Sequence, residues 1–187
     1  MVRSRPWIPI VLGCAALSAL SLLLARGAAY DPWSWITWGR EVLHLSLDTR
    51  GGPAWKPLPV GFTTIFALTG PAAPDLWIVT ARTFSLLAVA AAVVLVRRIA
   101  PAGWPAWVGA VVAAAGVAFM SGAYRAAAMA TSEGALMFGG ILAVERHLAG
   151  KHKQALACGV VAGLVRPEPW PLLLLYGLWL LRRRDKN

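Results

Sequence analysis

The chain alternates long apolar runs with short polar or basic clusters. Six apolar runs stand out, at about 7–29, 76–98, 104–122, 126–146, 155–165 and 170–182. The first four are close to the roughly 20 residues with which a helix crosses a membrane. The last two are shorter and are separated by two prolines, so they form either a thin helical hairpin or one broken helix. This pattern predicts an all-α fold, a polytopic membrane helical bundle built as one domain.

Positions 30–75 predict an outer loop that contains two juxtamembrane helices. Apolar residues recur at helical spacing from Pro32 to Leu47, and Pro32 suits the first helical position with Asp31 as its cap. The following segment, from Trp55 to Gly70, is too short and too rich in proline at its start to cross a membrane. The tryptophans of this loop fit either an aromatic belt at the membrane surface or the wall of a binding site.

Composition and charge support the membrane interpretation. Hydrophobic residues make up 58% of the chain and charged residues only 14%, which excludes a soluble globule with a polar surface. The net charge of +10 comes from short basic clusters between the apolar runs, a pattern typical of topology signals, so we expect no nucleic-acid partner. Cys14 and Cys158 lie in apolar runs and show no disulfide or metal-binding pattern.

The basic clusters also orient the chain. If Arg3 and Arg5 lie in the cytoplasm, then Arg97, Arg98 and the loop 146–153 lie inside as well, and so do the C-terminal arginines if the last stretch crosses twice. If that stretch is one broken helix, the C-terminus lies outside. We therefore expect a multi-pass integral protein of the cytoplasmic (inner) membrane, in contact with membrane lipids.

The same orientation leaves a group of ionisable residues on the outer side. Such residues are costly near or within membrane spans, so they indicate a functional site that faces the outside. The group comprises Asp31, Arg40, Glu41, Asp48, Arg50, Lys56, Arg125, Glu133, Arg166 and Glu168, with Arg82 inside the second span near its outer end.

Several short motifs together resemble the N-terminal part of the GT-C membrane glycosyltransferases. The similarity is greatest to the branch of the protein O-mannosyltransferases and the aminoarabinose transferase of lipid A. It runs from about Tyr30 to Trp170 and rests on Asp31, Trp38-Gly39-Arg40-Glu41, Lys56-Pro57-Leu58-Pro59, Ala81-Arg82, Arg97-Arg98, Thr131-Ser132-Glu133 and Gly163-Leu164-Val165-Arg166-Pro167-Glu168. Family members usually carry an acidic pair in the first loop, whereas Asp31 stands alone here, and they are much longer.

The resemblance implies a GT-C-like bundle that transfers a sugar, typically with inversion, from a polyprenyl phosphate carrier to an envelope acceptor. It implies Asp31 as the catalytic base, unless Asp31 only caps a helix. The expected phosphate and substrate contacts are Lys56, Arg82, Arg125, Arg166, Trp33 and Trp55. Glu133 is a second acidic residue, so binding of a divalent cation stays an open alternative. The motifs specify no cofactor and no metal ligand.

Some alternatives stay open. Arg82 pairs with Glu133 or Asp31 if it does not bind phosphate, and Glu168 is expected to pair with Arg166. The short chain also fits a noncatalytic subunit that binds the lipid carrier or a partner membrane protein. A small transporter is a third possibility, although no internal repeat is visible. The sugar, the acceptor and the oligomeric state are not specified by these motifs.

Overall fold

The computed structural model describes residues 7–24 and 26–184, and the regular structure of these residues is entirely helical. The all-α prediction is therefore confirmed. Two 3₁₀ turns, Ser21–Leu23 and Gly70–Ala72, accompany the α-helices. The α-helices are α1 (Trp7–Leu20), α2 (Tyr30–Leu43), α3 (Pro57–Ala67), α4 (Ala73–Ile99), α5 (Trp104–Phe119), α6 (Ala123–Ala128), α7 (Glu133–Leu148), α8 (His152–Gly163) and α9 (Trp170–Arg184).

One helical segment of the described residues is long and apolar enough to cross a membrane. It is Gly70–Ile99, which comprises α4 and the 3₁₀ turn before it and corresponds to the second predicted span. The segments Trp7–Leu23 and Trp104–Phe119 are apolar but shorter. Arg3 and Arg5, which orient the N-terminus in the sequence analysis, lie outside the described residues.

Glycines of α7 let this helix pack closely against two neighbours. A Cβ atom on Gly134 would lie 2.4 Å from Ser85 Oγ on α4, and one on Gly139 would lie 3.1 Å from the Cβ of Ala162 on α8. Small residues allow helix backbones to approach each other in this way, without bulky side chains between them. Helix α7 is therefore fixed between α4 and α8, and α9 packs against α8.

The two helices predicted for positions 30–75 are present as α2 and α3, and they form a packed hairpin. A Cβ on Gly39 of α2 would lie 2.5 Å from the backbone of Thr63 on α3, so the two helices are in direct contact. Trp35 is completely buried and meets Trp77 of α4 edge to face at 5.6 Å, while the Trp38 indole donates to the Asp48 carbonyl at 3.0 Å. The belt interpretation is therefore wrong for Trp35 and Trp38, which are core residues.

The start of α2 differs from the sequence prediction. The helix begins at Tyr30, its N-cap is Ala29, and no side chain caps it. Asp31 is therefore the second helical residue and Pro32 the third. Both positions suit these residues. A carboxylate in the first turn is stabilised by the positive end of the helix dipole. Proline has no N–H, and an N–H in the first turn would have no partner within the helix.

The fourth predicted span is two helices rather than one. Helix α6 ends at Ala128, and the chain turns through Ala130, whose φ of 55° is left-handed, before α7 begins at Glu133. The Ala130 carbonyl accepts a hydrogen bond of 3.0 Å from the buried Trp77 indole. A tertiary contact therefore accompanies a turn in a run of alanine whose sequence favours a continuous helix.

Candidate functional site

Two long-range backbone hydrogen bonds bring together the chain segments that carry the polar residues predicted to face outside. The amide of Ala29, just before α2, donates to the Met129 carbonyl at 2.9 Å, and the amide of Leu58 in α3 donates to the Leu164 carbonyl at 3.1 Å. The first bond joins the start of the hairpin to the turn before α7. The second joins the start of α3 to the turn after α8. Four distant chain segments therefore meet in one place.

Lys56 lies at the centre of this meeting point. Its side chain is buried, its ammonium donates to Ser132 Oγ at 3.0 Å, and it lies 4.7 Å from the centre of the Trp35 ring. Burial lowers the pKa of Lys56 below its usual range; the charges of Glu133 and Asp31 oppose this change. A buried ammonium needs such partners, because an isolated charge in an apolar environment is costly.

Arg166 bridges two carboxylates beside Lys56. Its guanidinium contacts Glu133 at 2.7 Å and Glu168 at 3.4 Å. The expected Arg166–Glu168 pair is therefore present. Two buried polar atoms of this group, Arg166 Nε and Glu133 Oε2, have no hydrogen-bond partner among the described residues. One is a donor and the other an acceptor, so a ligand that carries an anionic oxygen and a hydroxyl group would satisfy both.

A cavity of about 530 Å³ opens next to this pair, and it is called the phosphate cavity below. Arg166 and Glu133 line it, together with Arg125 of α6 and the hydroxyl-bearing Thr131. Arg125 is exposed and makes no ion pair within the described part of the chain. The cavity thus combines two guanidinium groups with a carboxylate, which suits a phosphate that bears hydroxyl groups.

Asp31 lies close to this site but is not one of the residues that line the cavity. It is half-buried in the first turn of α2, and its charge acts on Lys56. The Asp31 carboxylate makes no hydrogen bond or ion pair within residues 7–24 and 26–184. It is therefore available to a ligand, because it is not occupied as a helix cap.

The tryptophans predicted to contact substrate are both partly exposed. Trp33 is 49% exposed on α2, and Trp55 is 43% exposed and lies against Trp38 with 5.5 Å between ring centres. Trp55 directly precedes Lys56 and Trp33 lies within α2, but neither tryptophan lines the phosphate cavity. They are surface aromatics of the hairpin.

Arg82 belongs to a different part of the molecule. It lines a separate cavity of about 370 Å³ between α1, α4 and α6. Its guanidinium donates to Ser21 Oγ at 2.7 Å and to the carbonyls of Ser21 and Ala128. The Ser21 carbonyl also accepts from the Leu24 amide at 3.1 Å, whereas Ala128 is the last residue of α6, where helix carbonyls lack a partner in the helix. The observed partners of Arg82 are thus neither Glu133 nor Asp31.

No group of three histidine, cysteine or acidic side chains in the described ranges could hold a metal ion. Glu133 instead directs one oxygen at Arg166. The sequence left a divalent cation open. Within those ranges the structure provides no defined set of ligands for one.

Three residues important to the architecture were not identified from the sequence. Ser132 and Trp35 hold Lys56, and Glu145 of α7 is completely buried between Arg98 and Arg146. A serine directly before Glu133 and a carboxylate inside a basic cluster are the signals that point to Ser132 and Glu145. Trp35 gave no signal that separated it from its neighbours Trp33 and Trp38.

Comparisons with protein-family models, with curated proteins and with solved structures found no match. The resemblance to GT-C glycosyltransferases therefore rests on the motifs of this chain, and its functional consequences are argued below from the site itself.

Proposed function

We propose that the chain is a multi-pass membrane protein. Large apolar side chains face outward on α1, α5 and α9, where a water-soluble bundle would carry polar groups. The segment Gly70–Ile99 is long enough to cross a membrane by itself. The outward-facing residues include Ile8, Leu12, Leu17, Val108, Val111, Val112, Leu172, Leu174 and Leu175.

We infer further that it is a GT-C-type glycosyltransferase, or a minimal module of one, which takes a sugar from a polyprenyl phosphate. The observation that carries this proposal is the pair of unsatisfied buried atoms, Arg166 Nε and Glu133 Oε2, beside a cavity that also contains Arg125. An unpaired buried polar atom costs about 1–3 kcal/mol. A sugar phosphate offers both an anionic oxygen for the arginine and a hydroxyl group for the carboxylate.

The proposed reaction is a displacement at the anomeric carbon of the sugar. The acceptor oxygen attacks this carbon, the bond to the phosphate oxygen breaks with inversion, and Asp31 takes the acceptor proton. The phosphate leaves with its electron pair, and Arg166 and Arg125 stabilise the negative charge. The buried ammonium of Lys56 adds a positive charge near this end of the cavity and so supports the two arginines.

A second candidate function is a noncatalytic subunit that binds the lipid carrier or a partner membrane enzyme. The position of Asp31 favours it, because Asp31 does not line the phosphate cavity and has no second carboxylate paired with it. A carrier-binding subunit shares the phosphate site with the enzyme and differs from it in whether Asp31 acts on an acceptor.

A binding titration in lipid nanodiscs tests the shared site. The probes are a short-chain polyprenyl phosphate and its mannosyl and arabinosyl forms, and the variants are Lys56→Ala and Arg166→Gln. Each variant should bind roughly tenfold or more weakly, because a charge-assisted hydrogen bond or its support is lost. Arg50→Ala is the matched control, since Arg50 is 90% exposed and pairs with Asp48, away from the cavity lining. Equal binding by all four proteins would overturn the phosphate site.

A transfer assay then separates the two candidates. If the chain is an enzyme, Asp31→Asn should lower the rate by about 100-fold or more while binding is retained. Asp75→Asn is the control, because Asp75 is a partly exposed carboxylate that pairs with Arg26 at 3.3 Å. Carrier binding without transfer by the wild-type chain would favour the noncatalytic subunit.

A further inference from the structure

A largely apolar cavity of about 640 Å³, called the chain groove below, lies between α7, α8 and α9. Small residues on two of the helices create its depth: Gly140 and Ala143 on α7, and Gly159 and Ala162 on α8. A Cβ atom on Gly140 would meet no atom within 4 Å, although its neighbour Gly139 packs tightly on Ala162. The groove is therefore open space beside Gly140.

The chain groove begins where the phosphate cavity ends. Leu136 lines both, and Glu168, which pairs with Arg166, lines the groove. The opposite end contains His147 and Tyr176, whose Nδ1 and hydroxyl groups lie 2.8 Å apart. Along α7 the distance from Leu136 to His147 is about 16 Å. A charged entrance thus leads into an apolar passage that ends at a polar pair.

The chemistry of the groove favours a flexible hydrocarbon chain as its occupant. A single hydrocarbon chain needs no hydrogen-bond partners, which suits the apolar walls of Leu136, Ala143 and Ala162. The cationic residues at the entrance, Arg166 and Arg125, complement an anionic head group.

We propose that the chain groove holds the hydrocarbon chain of the lipid phosphate whose head group occupies the phosphate cavity. This inference rests on the proposed function for the position of the head group. The chain leaves the phosphate at Arg166, passes Leu136 and runs along Gly140 towards His147. The small residues of α7 and α8 then make room for the chain, and Tyr176 limits how far it extends.

Photolabelling of the full chain in nanodiscs tests the proposal. The probes are an isoprenyl phosphate with a diazirine near the end of its chain and the corresponding neutral isoprenol, and labelled peptides are mapped by mass spectrometry. Gly140→Leu fills the groove without a backbone clash. Gly177→Leu is the matched control, because Gly177 also has open space around it, lies on α9 and does not line the groove.

We expect the phosphate probe to label peptides of α7, α8 or α9, and Gly140→Leu to reduce this labelling roughly tenfold, since overpacking excludes the chain. Gly177→Leu should label like the wild type. If the phosphate probe competes with unlabelled polyprenyl phosphate but labels other helices, the groove proposal is wrong and the phosphate site stands. If only the neutral probe labels the groove, and Gly140→Leu blocks this labelling, the proposed phosphate site is wrong, and the groove binds a hydrocarbon chain without a phosphate head group. Absence of groove labelling by both probes overturns the groove proposal.

Discussion

Glu145 provides the sharpest test of how this bundle is held together. Its side chain is completely buried at the end of α7, where one oxygen contacts Arg98 of α4 at 2.6 Å and the other contacts Arg146. Glu145→Gln keeps the shape and removes the negative charge. The two arginines then face each other without the carboxylate that separates them, so we expect a less stable protein.

The size of the effect follows from the exposure of the partners. Breaking a fully buried ion pair costs about 3–5 kcal/mol. Arg98 is 40% exposed and Arg146 is 15% exposed, so water compensates part of the loss. Glutamine also retains a hydrogen-bond acceptor. We therefore expect a loss of about 2–3 kcal/mol, which for a chain of this size corresponds to a Tm lower by about 4–12 °C.

Thermal unfolding in detergent, followed by tryptophan fluorescence, measures this effect. The control is Asp75→Asn, which removes a carboxylate from the partly exposed pair with Arg26 and should lower the free energy of unfolding by less than about 1 kcal/mol. If the two variants change Tm by the same small amount, burial of Glu145 does not contribute to stability as argued here.

Three further predictions concern the hairpin, the start of α8 and the site. Gly39→Ala should lower Tm, because its Cβ would lie 2.5 Å from the Thr63 backbone, whereas Gly61→Ala, with open space around it, should not. Burial and the charge of Arg183 lower the pKa of His152 below 6.5 in the folded chain. As the pH falls, His152 is therefore protonated at a higher pH in the unfolded chain than in the folded chain, which favours unfolding. Tm should therefore decrease from about pH 7.5 to 5.5, and His152→Gln should reduce this decrease; an unchanged pH dependence would contradict the assignment. Arg166→Lys should weaken polyprenyl phosphate binding about tenfold in the nanodisc titration, since lysine cannot bridge both carboxylates and bind phosphate; wild-type affinity would refute this.

The helical architecture was predictable because it follows from local patterns. The apolar run at 76–98 is long and ends in two arginines, and α4 covers it almost residue for residue. The turn at Ala130 was not predictable, because the surrounding residues are good helix formers and the break accompanies a hydrogen bond from Trp77. Patterns within a segment do not record a partner more than 50 positions away.

The site was predictable in its residue types and only partly in its geometry. The charges predicted for the outer side identified Lys56, Arg166 and Glu133, because ionisable groups near apolar runs are costly and therefore indicate a functional site. Their partners depend on tertiary contacts, so the sequence could not show that Arg166 forms an ion pair with Glu133. For the same reason it could not separate Arg82, which donates to the carbonyls of Ser21 and Ala128, from the residues of the phosphate cavity.

The two backbone hydrogen bonds, Ala29 to Met129 and Leu58 to Leu164, have a consequence for biosynthesis. The first joins segments that are separated by five α-helices, and the second requires the end of α8. During synthesis Asp31 and Lys56 therefore emerge long before the residues that complete their surroundings. A nascent chain that stops before Arg166 therefore has the hairpin but lacks one of the two guanidinium groups that line the cavity, so the cavity cannot form in full.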